Sequence, residues 1–179
     1  MTPTEPSQGP PPLGDVEQLV RAARRGDAAA MDALVRELTP YVSRVCGAIA
    51  LDRGDDAMQE TLIAVLRNLR SLREPAALHG WVRRIAVREA VRAARGGRED
   101  PVDPATLRGT PVGVVDVATV VDVRATLAGL APEQRAVLVL RDVDGLSELE
   151  AARVLGVPEG TVKSRLHRAR SAFARRWEP

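Results

Sequence analysis

Lys163, Ser164, His167 and Arg168 fall on one side of the segment EGTVKSRLHRAR (residues 159–170) if that segment is helical. A lysine, a hydroxyl, an imidazole and a guanidinium are the donors that base edges and phosphates accept from. Val162, Leu166, Ala169 and Phe173 fall on the opposite side, which gives the helix an apolar face to bury. Only Glu159 is acidic between Arg153 and Trp177, so little would repel a polyanion. A solvated basic helix would need no special approach. Here the preceding stretch, ELEAARVLGVP, reads as a short helix, Gly156 and a tight turn, which is the spacing of a helix-turn-helix.

Two further clusters carry chemistry. Asp55, Asp56, Gln59 and Glu60 place three carboxylates and an amide within a turn and a half of DDAMQETLIAVLRNLRSL. They read as a polar docking face, or as acids that complement a helix N-terminus. Arg83, Arg84, Arg88, Arg92 and Arg95 ring much of the segment WVRRIAVREAVRAAR and can follow a phosphate backbone. Trp81, at the head of that segment, reads as a core anchor, with base stacking as the alternative.

Enzyme chemistry finds no footing. The chain has one cysteine, two histidines, no Gly-rich phosphate loop and no clustered metal ligands. We therefore expect no catalytic residue, no metal, no cofactor and no disulfide. Cys46, within YVSRVCGAIAL, is expected to be a buried thiol.

These clusters need helices to hold them. The chain is 45% hydrophobic but only 2% aromatic, so its core must come from Leu, Val, Ala and Ile, which favours packed helices over a β-sandwich. Residues 1–14 contain five prolines and are expected to be a disordered tail. Residues 15–95 read as a first helical domain. Asp15 and Asp27 are candidate N-caps, Pro40 is expected to kink a long helix or start a new turn, and Met58, Leu62, Val65, Leu66 and Leu69 form one apolar face. Residues 96–118 are rich in Gly and Pro and lack a helical stripe, so they read as a flexible linker that holds the two halves together only weakly. Residues 119–177 give four short helices. Gly129, Gly145 and Gly156 stand at C′ positions, Ser147 and Glu150 form a capping box, and Pro158 opens a helix. The fold class is all-α: two small helical domains on a tether. The N-terminus is no signal peptide and no apolar run reaches membrane-spanning length, so a cytoplasmic protein without membrane contact is expected.

The stretch LAPEQRAVLVLRDVDGLSELEAARVLGVPEGTVKSRLHRAR (residues 130–170) resembles region 4 of bacterial RNA polymerase sigma factors of the extracytoplasmic-function (ECF) type. DDAMQETLIAVLRNL resembles region 2.1–2.2, and LREPAALHGWVRRIAVREAVRAAR resembles regions 2.3–2.4. The resemblance implies that Lys163, Ser164, His167 and Arg168 read the −35 promoter element, with Arg165 and Arg170 packing or touching phosphate. It implies that Asp55, Asp56, Gln59 and Glu60 dock on the β′ clamp of core RNA polymerase, and that the second domain meets the β flap. Trp81, Arg83, Arg84, Arg88 and Arg92 would hold the melted −10 strand. The family commonly has Tyr and Asn where this sequence has Arg83 and Arg88, which shifts the expected capture from stacking and base-specific bonding to electrostatics. Promoter DNA and core polymerase are the implied partners, and an anti-sigma factor is one that family members often have.

A regulator that used only the helix-turn-helix would need neither the acidic 55–60 cluster nor the basic 83–95 helix. A promoter-specificity subunit needs both.

Overall fold

The computed structural model describes residues 13–96 and 117–177, and among these residues every regular element is helical. Residues 1–12 of the expected tail and 97–116 of the expected linker lie outside them. The order is α1 (Leu13–Arg24), α2 (Ala28–Ala50), α3 (Gly54–Asn68), α4 (Leu78–Gly96), α5 (Val117–Ala128), α6 (Pro132–Leu138), α7 (Glu148–Leu155) and α8 (Glu159–Trp177). The all-α expectation holds.

Local chemistry sets several of the helix ends. The Asp27 carboxylate accepts from the Ala30 N–H at 3.0 Å and starts α2. The Ser147 hydroxyl accepts from the Glu150 N–H at 3.2 Å, while Glu150 Oε2 accepts from the Ser147 N–H at 2.7 Å, closing the capping box on α7. Gly156 ends α7 in the left-handed region at φ +65°. Three expectations need correction. Helix α1 begins at Leu13, which places Asp15 within its first turn and not at the position before it. Pro40 starts no new helix, since α2 runs through it; the proline lacks an N–H, and the adjacent Thr39 hydroxyl donates to Val35 O at 2.7 Å. Gly129 has no positive φ; instead its missing side chain makes room for Arg176, whose guanidinium occupies the space a Cβ would take.

Helix α2 is the spine of the first domain and packs against α1, α3 and α4. Its buried row is Leu34, Leu38, Val42, Val45, Cys46 and Ile49, and each large aliphatic there contributes about 1.5–3 kcal/mol by leaving water. The buried face of α3 is Ala57, Thr61 and Val65, with Leu69 just beyond its end. That corrects the expected stripe, in which Met58, Leu62 and Leu66 prove only half-buried. The shift comes from close approach. A Cβ on Gly54 would lie 2.8 Å from Gly47 Cα, so the two backbones meet and turn small residues of α3 toward α2.

In the second domain α8 lies against α6 and α7. Between α6 and α7 the chain makes one π-helical turn, Val139–Val143, closed by the Asp144 N–H donating to Val139 O at 2.9 Å.

The two domains are in contact, more firmly than the linker composition alone suggested. One apolar cluster runs from Val16 of α1 to Ala169 of α8. Arg135, only 6% exposed, reaches across: its Nε donates to Ile49 O at 2.6 Å, and its Nη1 donates to Leu130 O at 2.8 Å and Leu127 O at 3.3 Å. The Tyr41 hydroxyl donates to Asp144 Oδ2 at 2.7 Å, and Arg83 Nε donates to the same oxygen at 3.0 Å.

Candidate nucleic-acid interface

Helix α8 sorts its residues by side as expected. Val162, Leu166 and Ala169 are buried, and Phe173 is half-buried with its ring stacked 5.8 Å from Trp177. Lys163, Ser164, His167 and Arg168 are exposed together on the other side. Arg168 Nε donates to Ser164 O at 3.1 Å, so its guanidinium lies along the helix surface. Lys163 Nζ stands 3.4 Å from Glu148 Oε2, an exposed pair held with under about 1 kcal/mol, which a phosphate can displace. Arg170 donates through Nε to Asp142 Oδ2 at 3.2 Å and so anchors α8 to the turn before α7. Arg165 is half-buried.

The acidic cluster also comes together. Asp55, Asp56, Gln59 and Glu60 are all exposed at the start of α3, where carboxylates complement the helix dipole. Glu60 Oε2 stands 3.9 Å from Arg92 Nη2 on neighbouring α4.

The arginines of α4 are less free than their number suggests. Glu89, the one acid in α4, is buried on the same face as Val82, Ile85 and Ala86. Arg92 Nη2 stands 2.6 Å from its Oε2, and Arg88 Nη2 3.1 Å from its Oε1. A buried carboxylate needs such partners. Arg83 is engaged by Asp144 and Tyr41. Arg95 Nε donates to Glu133 Oε1 at 2.7 Å; the Glu133 carboxyl, which burial would raise, is held below its ordinary pKa by its own backbone N–H and then by Arg95. Arg84 is exposed. Trp81 is half-buried and packs against the apolar cluster.

Reading the sequence missed three features here. Glu89 could have been found, since it sits four residues after Ile85 in the apolar stripe. Asp144 gave no local signal, because its partners lie 61 and 103 residues away. A shallow cleft of about 420 Å³ lined by Arg21, Arg24, Arg25 and Arg70 also went unnoticed; it forms where the end of α1 meets the turn after α3. Among the described residues no group of His, Cys, Asp and Glu could hold a metal ion, and no helix is long and apolar enough to cross a membrane.

Residues 34–99 match the family profile of Sigma-70 region 2, and residues 121–173 that of Sigma-70, region 4. Over 163 residues the chain is 36% identical to the ECF RNA polymerase sigma factor SigM of Mycobacterium tuberculosis, spanning 88% of this chain and 82% of SigM. The chain belongs to the ECF family of RNA polymerase sigma factors. It is also 35% identical over 168 residues to the ECF sigma factor SigE of Mycolicibacterium smegmatis, spanning 81% of this sigma factor and 62% of SigE. Its fold is similar to that of CnrH, solved in complex with the cytosolic domain of CnrY (TM-score 0.62, 24% identity, 89% of this chain and 94% of that one). It is likewise similar to the sigma factor RpoE of Bartonella quintana, solved with the anti-sigma factor NepR (TM-score 0.58, 23% identity, 79% and 94%). The helix-turn-helix of α7 and α8 thus lies within the part of this sigma factor that matches region 4.

Proposed function

We propose that this sigma factor binds core RNA polymerase, reads the −35 and −10 promoter elements and opens the DNA between them. In this reading α8 lies in the major groove, with Lys163, Ser164, His167 and Arg168 on base edges and Arg165 and Arg170 toward phosphates. Asp55, Asp56, Gln59 and Glu60 dock on the β′ clamp, and the second domain meets the β flap. Arg83, Arg84, Arg88 and Arg92 hold the phosphates of the melted non-template strand beside Trp81. The protein contributes no chemical step and needs no cofactor or metal. It acts in the cytoplasm, where polymerase and promoter are, and an anti-sigma factor is a further partner.

The observation that carries this reading is the division of exposed chemistry on one chain: a donor face on α8 backed by a buried stripe, and a separate acid face on α3. A repressor needs the first and not the second. The test is run-off transcription from genomic promoter fragments by core polymerase with and without the protein. We expect initiation at discrete sites only when the protein is present, and its loss in Asp56→Arg/Glu60→Arg. Unchanged pull-down of core enzyme by that double variant sinks the docking assignment.

A further inference from the structure

Asp144 has an unusual environment. Its side chain is 2% exposed, yet the donors that satisfy it all belong to the other domain. The Tyr41 hydroxyl and Arg83 Nε both reach Oδ2, and Arg44 Nη1 stands 3.3 Å from Oδ1. Both guanidinium groups also lie over the Tyr41 ring, at 5.2 Å for Arg44 and 5.8 Å for Arg83. Two guanidinium groups and a phenol around a pair of anionic oxygens form the coordination that a phosphodiester takes from a protein. The π-helical turn aims the carboxylate there, since the bond that closes the turn is made by the N–H of Asp144 itself.

We infer that Asp144 is an internal stand-in for a DNA phosphate, so that the second domain competes with the promoter strand for the α2–α4 face of the first. The inference rests on the reading of Arg83 as a strand-capture residue. In the closed chain Arg83 is taken by Asp144, and Arg88 and Arg92 are taken by Glu89. The two occupations differ in kind. Glu89 belongs to α4 itself and stays with its arginines in any arrangement of the domains. Asp144 leaves when the second domain leaves, and on leaving it exchanges three protein donors for water. Arg44, which carries no signal in the sequence, becomes available with Arg83. The chain therefore carries its strand-capture face in a covered state, and apparent DNA affinity is lowered by the fraction of molecules that are closed.

The test uses the full chain. Asp144→Ala, with Asp144→Asn as a milder second variant, is compared with Asp142→Ala. The control removes the same charge from the same turn, but Asp142 pairs with Arg170 inside its own domain. Small-angle X-ray scattering reads the separation of the domains, circular dichroism reads helix content, and fluorescence anisotropy reads binding of a mixed-sequence single-stranded oligonucleotide. We expect both Asp144 variants to keep their helices, to expand in solution, and to bind the strand about tenfold more tightly if the closed form holds about nine molecules in ten. Asp142→Ala should do neither. Asp144 variants as compact as the wild type overturn the role of Asp144 as the latch, the Arg135 and apolar contacts then sufficing to hold the halves together. Variants that expand but bind no tighter than a wild type that does bind overturn the competition and leave strand capture standing. Absence of binding by every protein overturns strand capture, and the competition with it.

Discussion

Replacing Arg135 with methionine should be the most damaging single change of a charged residue in this protein. The side chain is buried and its guanidinium donates to three carbonyls, Ile49 O, Leu130 O and Leu127 O, at 2.6, 2.8 and 3.3 Å. Hydrogen bonds to a charged group contribute about 1.5–3 kcal/mol each, so three give roughly 4.5–9 kcal/mol before any offset. The offset is the removal of the buried charge itself, whose cost shows in the Arg135 pKa, lowered mainly by desolvation. Methionine fills similar space without that cost but withdraws the donor from all three carbonyls, of which Leu127 O keeps the Leu130 N–H at 2.9 Å. A net loss of about 3–5 kcal/mol remains, which for a chain of this size is roughly a 10 °C fall in melting temperature. Arg135→Lys should recover less than half, because one compact ammonium cannot span carbonyls on α2, α5 and the loop after α5. The assay is thermal unfolding followed by circular dichroism, with exposed Arg168→Met as control, expected within about 0.5 kcal/mol of wild type. A loss below about 1 kcal/mol in Arg135→Met would refute the reasoning, since Ile49 O and Leu130 O would then have found other donors.

Three further perturbations probe other parts of the molecule. Gly54→Ala should cost about 1–3 kcal/mol in urea unfolding, because the new methyl meets Gly47 backbone at 2.8 Å and one of the helices must shift; a neutral substitution would mean that α2 and α3 slide freely. The Cys46 thiol, with its pKa pushed up to about 11 chiefly by burial, should react with a disulfide reagent at pH 8 about two orders of magnitude more slowly in the folded chain than in the unfolded one. Because the unfolded thiol ionises first, the same shift predicts stability that declines as pH rises from about 8.5 toward 11, and a flat profile in denaturant titrations across that window would contradict it. Arg168→Ala should flatten preference at one or two promoter positions, by ~1–3 kcal/mol, in binding to a panel of single-base −35 variants. Arg175→Ala, past the reading turns, should weaken every sequence alike and reduce the salt slope by about one contact; uniform loss in Arg168→Ala instead assigns that residue to phosphate.

What could be read from the residues alone was local. Asp27, Ser147 with Glu150, and Gly156 mark helix ends because their side chains or backbone act within a few residues. The α8 stripe was legible because Val162, Leu166 and Ala169 repeat at helical spacing, and the exposure of Lys163, Ser164, His167 and Arg168 goes with it. The buried face of α3 was misplaced because a hydropathy pattern weighs Met58 and Leu62 above Ala57 and Thr61. It has no knowledge that Gly47 and Gly54 bring the backbones together. Arg135 and Asp144 escaped for a related reason: a charged side chain reads as exposed until its partners, 86 and 61 residues distant, are known. The arginines of α4 were identified as a group, but the share held by Glu89 and Asp144 emerges only in three dimensions.

The π-helical turn at Val139–Val143 also makes the linkage between the domains sensitive to chain length. Such a turn holds one residue more than the α-helical ladder would need, so it behaves as an insertion that the fold has absorbed. Deleting any one residue from it would let α6 continue in ordinary register and rotate the residues beyond it by about 100°. The composition, charge and hydrophobicity of the segment would scarcely change. Asp144, however, would be carried round the helix axis, away from Tyr41, Arg44 and Arg83. A comparison that scores substitutions and passes lightly over single-residue gaps would miss the difference, although the gap alone decides whether Asp144 reaches Tyr41, Arg44 and Arg83.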